Sequence, residues 1–140
     1  MRIVNRKAKY DYKFLETLEA GISLTGAEVK AVKRGMVDLK NAHGKIMHGE
    51  AFLVNAIVQE AGGKASSRAR RLLLHKKEIV SILTKMKGKN LILVPVSMYT
   101  KGRLVKVKLA LAKAKKKFEK RALIKKRDIE RDIEQELKQK

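Results

Sequence analysis

Between Arg103 and Ala112 the chain alternates, with Val105, Val107, Leu109 and Leu111 on one side and Lys106 and Lys108 on the other. A period of two puts every second side chain on the same face of a strand, so this segment belongs in a sheet with one face in a core and the other outward. Upstream, Leu91 to Tyr99 is almost continuously apolar and predicts a buried strand. Pro95 lies within it and, having no N–H to donate, is expected at an edge or a bulge. Lys101 and Gly102 supply the turn that joins the two.

Short apolar runs elsewhere complete a mainly β pattern. From Tyr10 to Leu18, Tyr12, Phe14 and Leu18 alternate with Asp11, Lys13 and Thr17; Ala20 and Gly21 then permit a turn, and Ile22 to Leu24 is a brief extended piece. Met36 to Lys40, Lys45 to Met47 and Glu50 to Val58 are separated by Gly44 and Gly49, as in a meander of strands. One helix is expected over Gly26 to Gly35, where Val29 and Val32 share a face and Gly35 takes the left-handed position beyond the end. A second should run through Leu72, Leu73, Ile79, Leu83 and Met86 and stop at Gly88. Residues 60–68 (EAGGKASSR) read as a mobile loop.

Six or so short strands with two short helices do not suit a parallel sheet, which needs a crossover helix for nearly every strand. The expectation is a mainly β fold over residues 1–112, a closed or nearly closed antiparallel barrel of the oligonucleotide-binding type. Residues 113–140 read as a basic C-terminal tail. Ile129, Ile133 and Leu137, spaced by four, give it too little apolar area to dock firmly, so it is expected to fray when free and become helical when bound.

Charge selects the partner. Lys and Arg number 35 against 14 Asp and Glu, a formal net charge of +21. Such self-repulsion is relieved by a polyanion, which makes nucleic acid the first expectation. Residues 1–112 hold 23 basic and 8 acidic residues, so the folded body is itself basic and binding should weaken steeply with salt. The chain has no Cys and three scattered His, so neither a disulfide nor a metal or other cofactor is expected. No apolar run reaches membrane-spanning length and the start lacks a signal-peptide core, so a cytoplasmic protein is expected, without a membrane partner and as a monomer.

The candidate site residues follow from where charge meets structure. Arg68, Arg70 and Arg71 run into Leu72, Leu73, Leu74 and His75, a basic cluster anchored by leucines and suited to phosphate. Lys106 and Lys108 share a strand face with mutual repulsion, and Lys113, Lys115 and Lys116 continue the basic line. Solvated lysines that guard a sheet edge are the alternative for that pair, and a structural role is the alternative for Glu19 and His75. The aromatic residues are too few and dispersed for a single-strand stacking platform, which favours recognition of backbone shape. No nucleophile beside a base and no paired carboxylates are apparent, so the protein is not expected to be an enzyme.

Several stretches, in order, resemble the small protein B (SsrA-binding protein) family: NRKAKY from Asn5, LEAG from Leu18, GAEVKAVKR from Gly26, GEAFL from Gly49, RRLLLHKKE from Arg70, VKVKL from Val105 and KAKKKFEKR from Lys113. The resemblance implies an RNA-binding barrel that takes the tRNA-like part of transfer-messenger RNA to stalled ribosomes. It also implies a tail entering the empty message channel near the small-subunit decoding centre. Asn5, Glu19, Leu73 and Lys106 match family positions linked to RNA binding, and Lys30 lies in a matching stretch. Glu119, Lys120 and Arg121 match the start of the tail, with Lys125, Lys126, Arg127 and Arg131 further along as ribosome contacts. Ala114 stands where the family has a glycine, and His43 where an aromatic residue is usual. A basic ribosomal or ribosome-assembly protein, or an enzyme acting on nucleic acid, are the competing readings.

Overall fold

The computed structural model describes residues 2–115. The elements are β1 (Arg2–Val4), α1 (Arg6–Asp11), β2 (Tyr12–Ile22), α2 (Gly26–Lys33), β3 (Val37–Asp38), β4 (His43–Met47), β5 (Glu50–Val54), β6 (Ile57–Gln59), β7 (Ala65–Ser66), β8 (Arg70–Leu73), α3 (Lys76–Lys89), β9 (Ile92–Lys101) and β10 (Leu104–Ala114). The fold is mainly β, and every strand pairing is antiparallel. One sheet runs β1-β9-β10-β2-β8-β5-β4, with β4 pairing again to β9 at Gly44 and Leu93; β3, β6 and β7 form a smaller sheet.

The alternation in the last strand is seen in its burial. Val105, Val107, Leu109 and Leu111 are buried in the core with Leu53, Leu72, Leu93, Met98 and Val32. Lys108 is exposed and Lys106 half-buried on the other side. Past Leu109 both faces are covered, because Ala110 and Ala112 join Val94, Val96 and Ala8 of α1 in a second cluster, flanked by Tyr12 and Phe14. The helix α1 thus caps one end of the outer face and leaves the rest open.

Pro95 sits at a bulge, as its missing donor requires: Lys108 is opposite Ser97 and Leu109 opposite Pro95, leaving Val96 as the extra residue. The bulge receives the chain's start. Asn5 N–H donates to the Val96 carbonyl at 2.9 Å, and its side-chain amide donates to the carbonyls of Pro95 at 2.9 Å and Leu39 at 3.0 Å.

Six expectations are corrected. The described residues contain three helices: α1 takes residues that pattern assigned to the first strand, started by the Asn5 side chain accepting from Ala8 N–H at 3.2 Å. Ala20 and Gly21 make no turn, since Ala20 is buried and Gly21 pairs with both Lys106 and Leu73, so β2 continues to Ile22. Leu72 and Leu73 belong to β8, not to the helix, which runs through Gly88 and ends at Asn90 in the left-handed region with φ 54°. Gly44 lies inside β4, and residues 60–68 include β7, paired with β6.

Gly44 is required by close approach. A Cβ there would lie 2.4 Å from Leu93 Cδ2 and 2.7 Å from its Cγ, and Leu93 is fully buried. Gly44→Ala is therefore expected to cost about 1–3 kcal/mol through overpacking at the β4–β9 pairing, read as a lowered urea midpoint.

Candidate RNA-binding face

Strand register assembles the site. Arg2, Tyr99, Lys106, Gly21 and Leu73 are successive partners across β1, β9, β10, β2 and β8. At the usual strand spacing the row is about 19 Å long. Beside it Ser97, Lys108 and Glu19 form a second row on the same face. Gly21 contributes by lacking a side chain: a Cβ would meet Leu73 Cδ1 at 3.3 Å, so the leucine lies against bare backbone. Leu73 is 55% exposed, an apolar residue held outward among cations.

The row is electrostatically built. The Arg2 guanidinium lies over the Tyr99 ring, 4.9 Å from its centroid. The Tyr99 hydroxyl donates to Glu19 Oε2, and that bond is the main cause holding the Glu19 carboxyl below the ordinary range; slight burial opposes it, and Lys101 and Lys106 add to the lowering. The same bond pushes the Tyr99 phenol up. Arg2 and Tyr99 were not found by sequence reasoning. Tyr99 ends an apolar run and Arg2 precedes any pattern, so only register places them beside Lys106.

Other predicted residues lie elsewhere. Arg70, read from sequence as a phosphate contact, is completely buried, and that role is corrected by its partners. Its Nε donates to Glu28 Oε2, Nη1 to the carbonyls of Ala56 at 2.9 Å and Arg68 at 3.0 Å, and Nη2 to the Ser66 carbonyl at 3.0 Å and Oγ at 3.4 Å. No donor is left for a phosphate. Burial pushes the Glu28 carboxyl up, but the Thr25 N–H and the guanidiniums of Arg68 and Arg70 outweigh it and hold the group at about 2. Arg68 pairs with Glu28 yet stays half exposed.

Arg71 projects beside Leu73, 3.4 Å from Glu50. His75 is exposed at the N-cap of α3, where its backbone N–H donates to Glu78 at 3.1 Å. Lys30 is exposed on α2. Asn5 is buried, with its amide hydrogens engaged internally, so it holds β1 and α1 in place without reaching outward. Lys113 lies seven residues along β10 from Lys106, roughly 23 Å away and opposite Lys13, outside the row. Lys115 ties its Nζ to the Lys9 carbonyl at 3.0 Å and its N–H to Asp11. Lys116, Glu119, Lys120, Arg121, Lys125, Lys126, Arg127 and Arg131 lie outside the described residues. Among the described residues no three His, Asp or Glu cluster as a metal site would need.

The model of the SmpB protein family matches residues 2–139. The chain belongs to the SmpB family. Relatives named SsrA-binding protein agree: one from Sulfurihydrogenibium is 45% identical over 139 residues, covering 96% of this chain and 91% of the relative. Another, from Gloeothece citriformis, is 44% identical over 140 residues, covering 96% and 90%. Among solved structures, a chain from "tmRNA-SmpB: a journey to the center of the bacterial ribosome" superposes with a TM-score of 0.69 at 42% identity, covering 83% of this chain and 85% of that one. This SmpB chain thus shares fold and sequence with a protein described with transfer-messenger RNA and the ribosome.

Proposed function

We propose that the chain binds the tRNA-like part of transfer-messenger RNA through the Arg2 to Leu73 row and delivers it to ribosomes stalled in trans-translation. The row itself carries this reading: cations, an exposed leucine and a stacked aromatic lie on one face of a fold shared with SmpB relatives. Phosphate contacts supply affinity, and the rigid sheet supplies shape. The β4–β9 pairing, which returns the sheet to β9, supports an oligonucleotide-binding-type barrel as its scaffold. In this reading the C-terminal tail, taken from residue 116 because Lys113 and Ala114 lie in β10 and Lys115 is fastened to α1, is a second unit that enters the message channel near the decoding centre. The protein is a binding partner working in the cytoplasm, while the chemistry belongs to the ribosome. No helix among the described residues is long and apolar enough to cross a membrane.

The test is a titration into transfer-messenger RNA, a tRNA and an unrelated hairpin across a salt series. Transfer-messenger RNA should bind most tightly at the highest salt, and Lys106→Ala should weaken it while reducing the salt slope by about one. Equal binding of all three RNAs would transfer the protein to the general ribosomal-RNA binders.

A further inference from the structure

The described chain ends beside a hollow. Lys115 N–H donates to the Asp11 carbonyl at 2.9 Å and its Nζ to the Lys9 carbonyl at 3.0 Å, so residue 116 starts from the C-terminal end of α1. Asp11 and Tyr12 also line a hollow of about 490 Å³ among α1, β4 and β9. Its floor is apolar: Ala8 and Val94 are buried there, Met86 is half-buried, and Ile92 is 38% exposed. Its rim is basic, with Lys7, Lys40 and Lys45 all exposed and Asp11 the one acid among the described lining residues.

The same chain carries the complement of that surface. Residues 128–136 (DIERDIEQE) hold five acids and one base, the reverse of the chain as a whole, and Ile129, Ile133 and Leu137 recur every four residues. In a helix that spacing sets the three on one face, with Asp128 and Asp132 along one flank and Glu130 and Glu134 along the other. Residues 116–127 separate this segment from Lys115; extended, they reach about 40 Å, ample to turn back on the hollow. Three aliphatic side chains bury too little area to hold a separate molecule, but a tether raises the local concentration to about millimolar and makes weak docking count.

We propose that the hollow beside α1 holds this chain's own acidic segment, residues 128–137, with its isoleucines and leucine on the apolar floor and its carboxylates against Lys7, Lys40 and Lys45. Pinned at both ends, the basic stretch 116–127 is looped beside the body. A polyanion of denser charge takes the three lysines and frees the tail, so contact with RNA is itself the release signal.

The chain has no Cys, so a thiol pair can be placed at will. Asn41→Cys on the rim with Ile133→Cys in the tail is compared with Leu15→Cys and Ile133→Cys, in the full chain without RNA, equilibrated with glutathione. Leu15 is exposed on β2 near Lys13, the partner of Lys113, so a tail that merely hangs from Lys115 reaches it as readily. The effective concentration of the internal disulfide should be about fivefold or more higher from position 41. Raising the salt should shrink that advantage, and so should Leu137→Asp, which leaves the folded body untouched. Lys7→Glu with Lys40→Glu should lower the position-41 value about threefold or more, and adding Glu130→Lys with Glu134→Lys should restore it. Inorganic polyphosphate should lower it as well.

Equal values from positions 41 and 15 overturn the proposal, as does a value indifferent to salt and to Leu137→Asp. Disulfide-linked dimers in place of the internal bond overturn it by giving the hollow to a second copy's tail. A value that polyphosphate leaves unchanged overturns the release. No RNA enters this comparison, so its failure leaves the RNA-binding reading standing, and a failed RNA titration leaves the docked tail standing.

Discussion

Arg70→Ala is expected to destabilise the fold by about 3–5 kcal/mol, far more than the loss of a surface phosphate contact. The substitution leaves Glu28 ionised and buried, with the carbonyls of Ala56 and Ser66 deprived of donors. Urea denaturation of the free protein reads this directly. Arg71→Ala, one residue along and exposed, should change stability by less than about 0.5 kcal/mol. Removing both charges, with Glu28→Leu and Arg70→Met together, should recover only part of the loss, because Glu28 keeps Arg68 and the Thr25 N–H when Arg70 alone is cut, and the carbonyls of Ala56 and Ser66 lack their donors in both variants. The pH dependence follows from Glu28. Its folded value, about 2, lies below the ordinary 4.5, so its contribution to stability is complete above about pH 4.5 and is lost as pH falls toward 2.

Cutting the chain after Lys115 is expected to abolish tagging on stalled ribosomes while leaving transfer-messenger RNA binding largely intact. The row ends at Lys106 in sequence, and Lys115 is the last described residue, fastened to α1. Residues 116–140 contain ten basic and six acidic residues, so their removal should also lower affinity for any RNA modestly at low salt, a difference that shrinks as salt rises. A reconstituted translation reaction on a message without a stop codon measures the tagging. Equal loss of binding and tagging would contradict two separable units.

Much of the architecture was legible because burial on one face writes itself as alternation. The last strand, the Pro95 bulge and the Gly26 helix with Gly35 at φ 74° all follow from local rules. What the sequence hid was set by distant partners. The helix α1 buries Ala8 and carries no apolar period; it exists because Asn5 caps it and docks on the bulge. Leu72 and Leu73 have helical spacing to Ile79, yet pairing with Ile22 and Gly21 makes them a strand.

The site divides the same way. Lys106 and Lys108 were visible as the polar half of an alternation, and Leu73 and Glu19 came with the family resemblance. Arg70 has the same local chemistry as Arg71, and alternation along β8 turns one inward to Glu28 and the other outward. Arg2 and Tyr99 belong to the site through register alone, between residues 97 positions apart in the chain.

Bound RNA should lie across the Arg2 to Leu73 row. A photo-crosslinking residue in place of Leu73, with a second variant carrying it at the exposed Met36 beside the smaller sheet, tests this on the complex with transfer-messenger RNA. Strong crosslinks are expected from position 73 to the tRNA-like part and few from position 36. Crosslinks from position 36 with none from position 73 would contradict it.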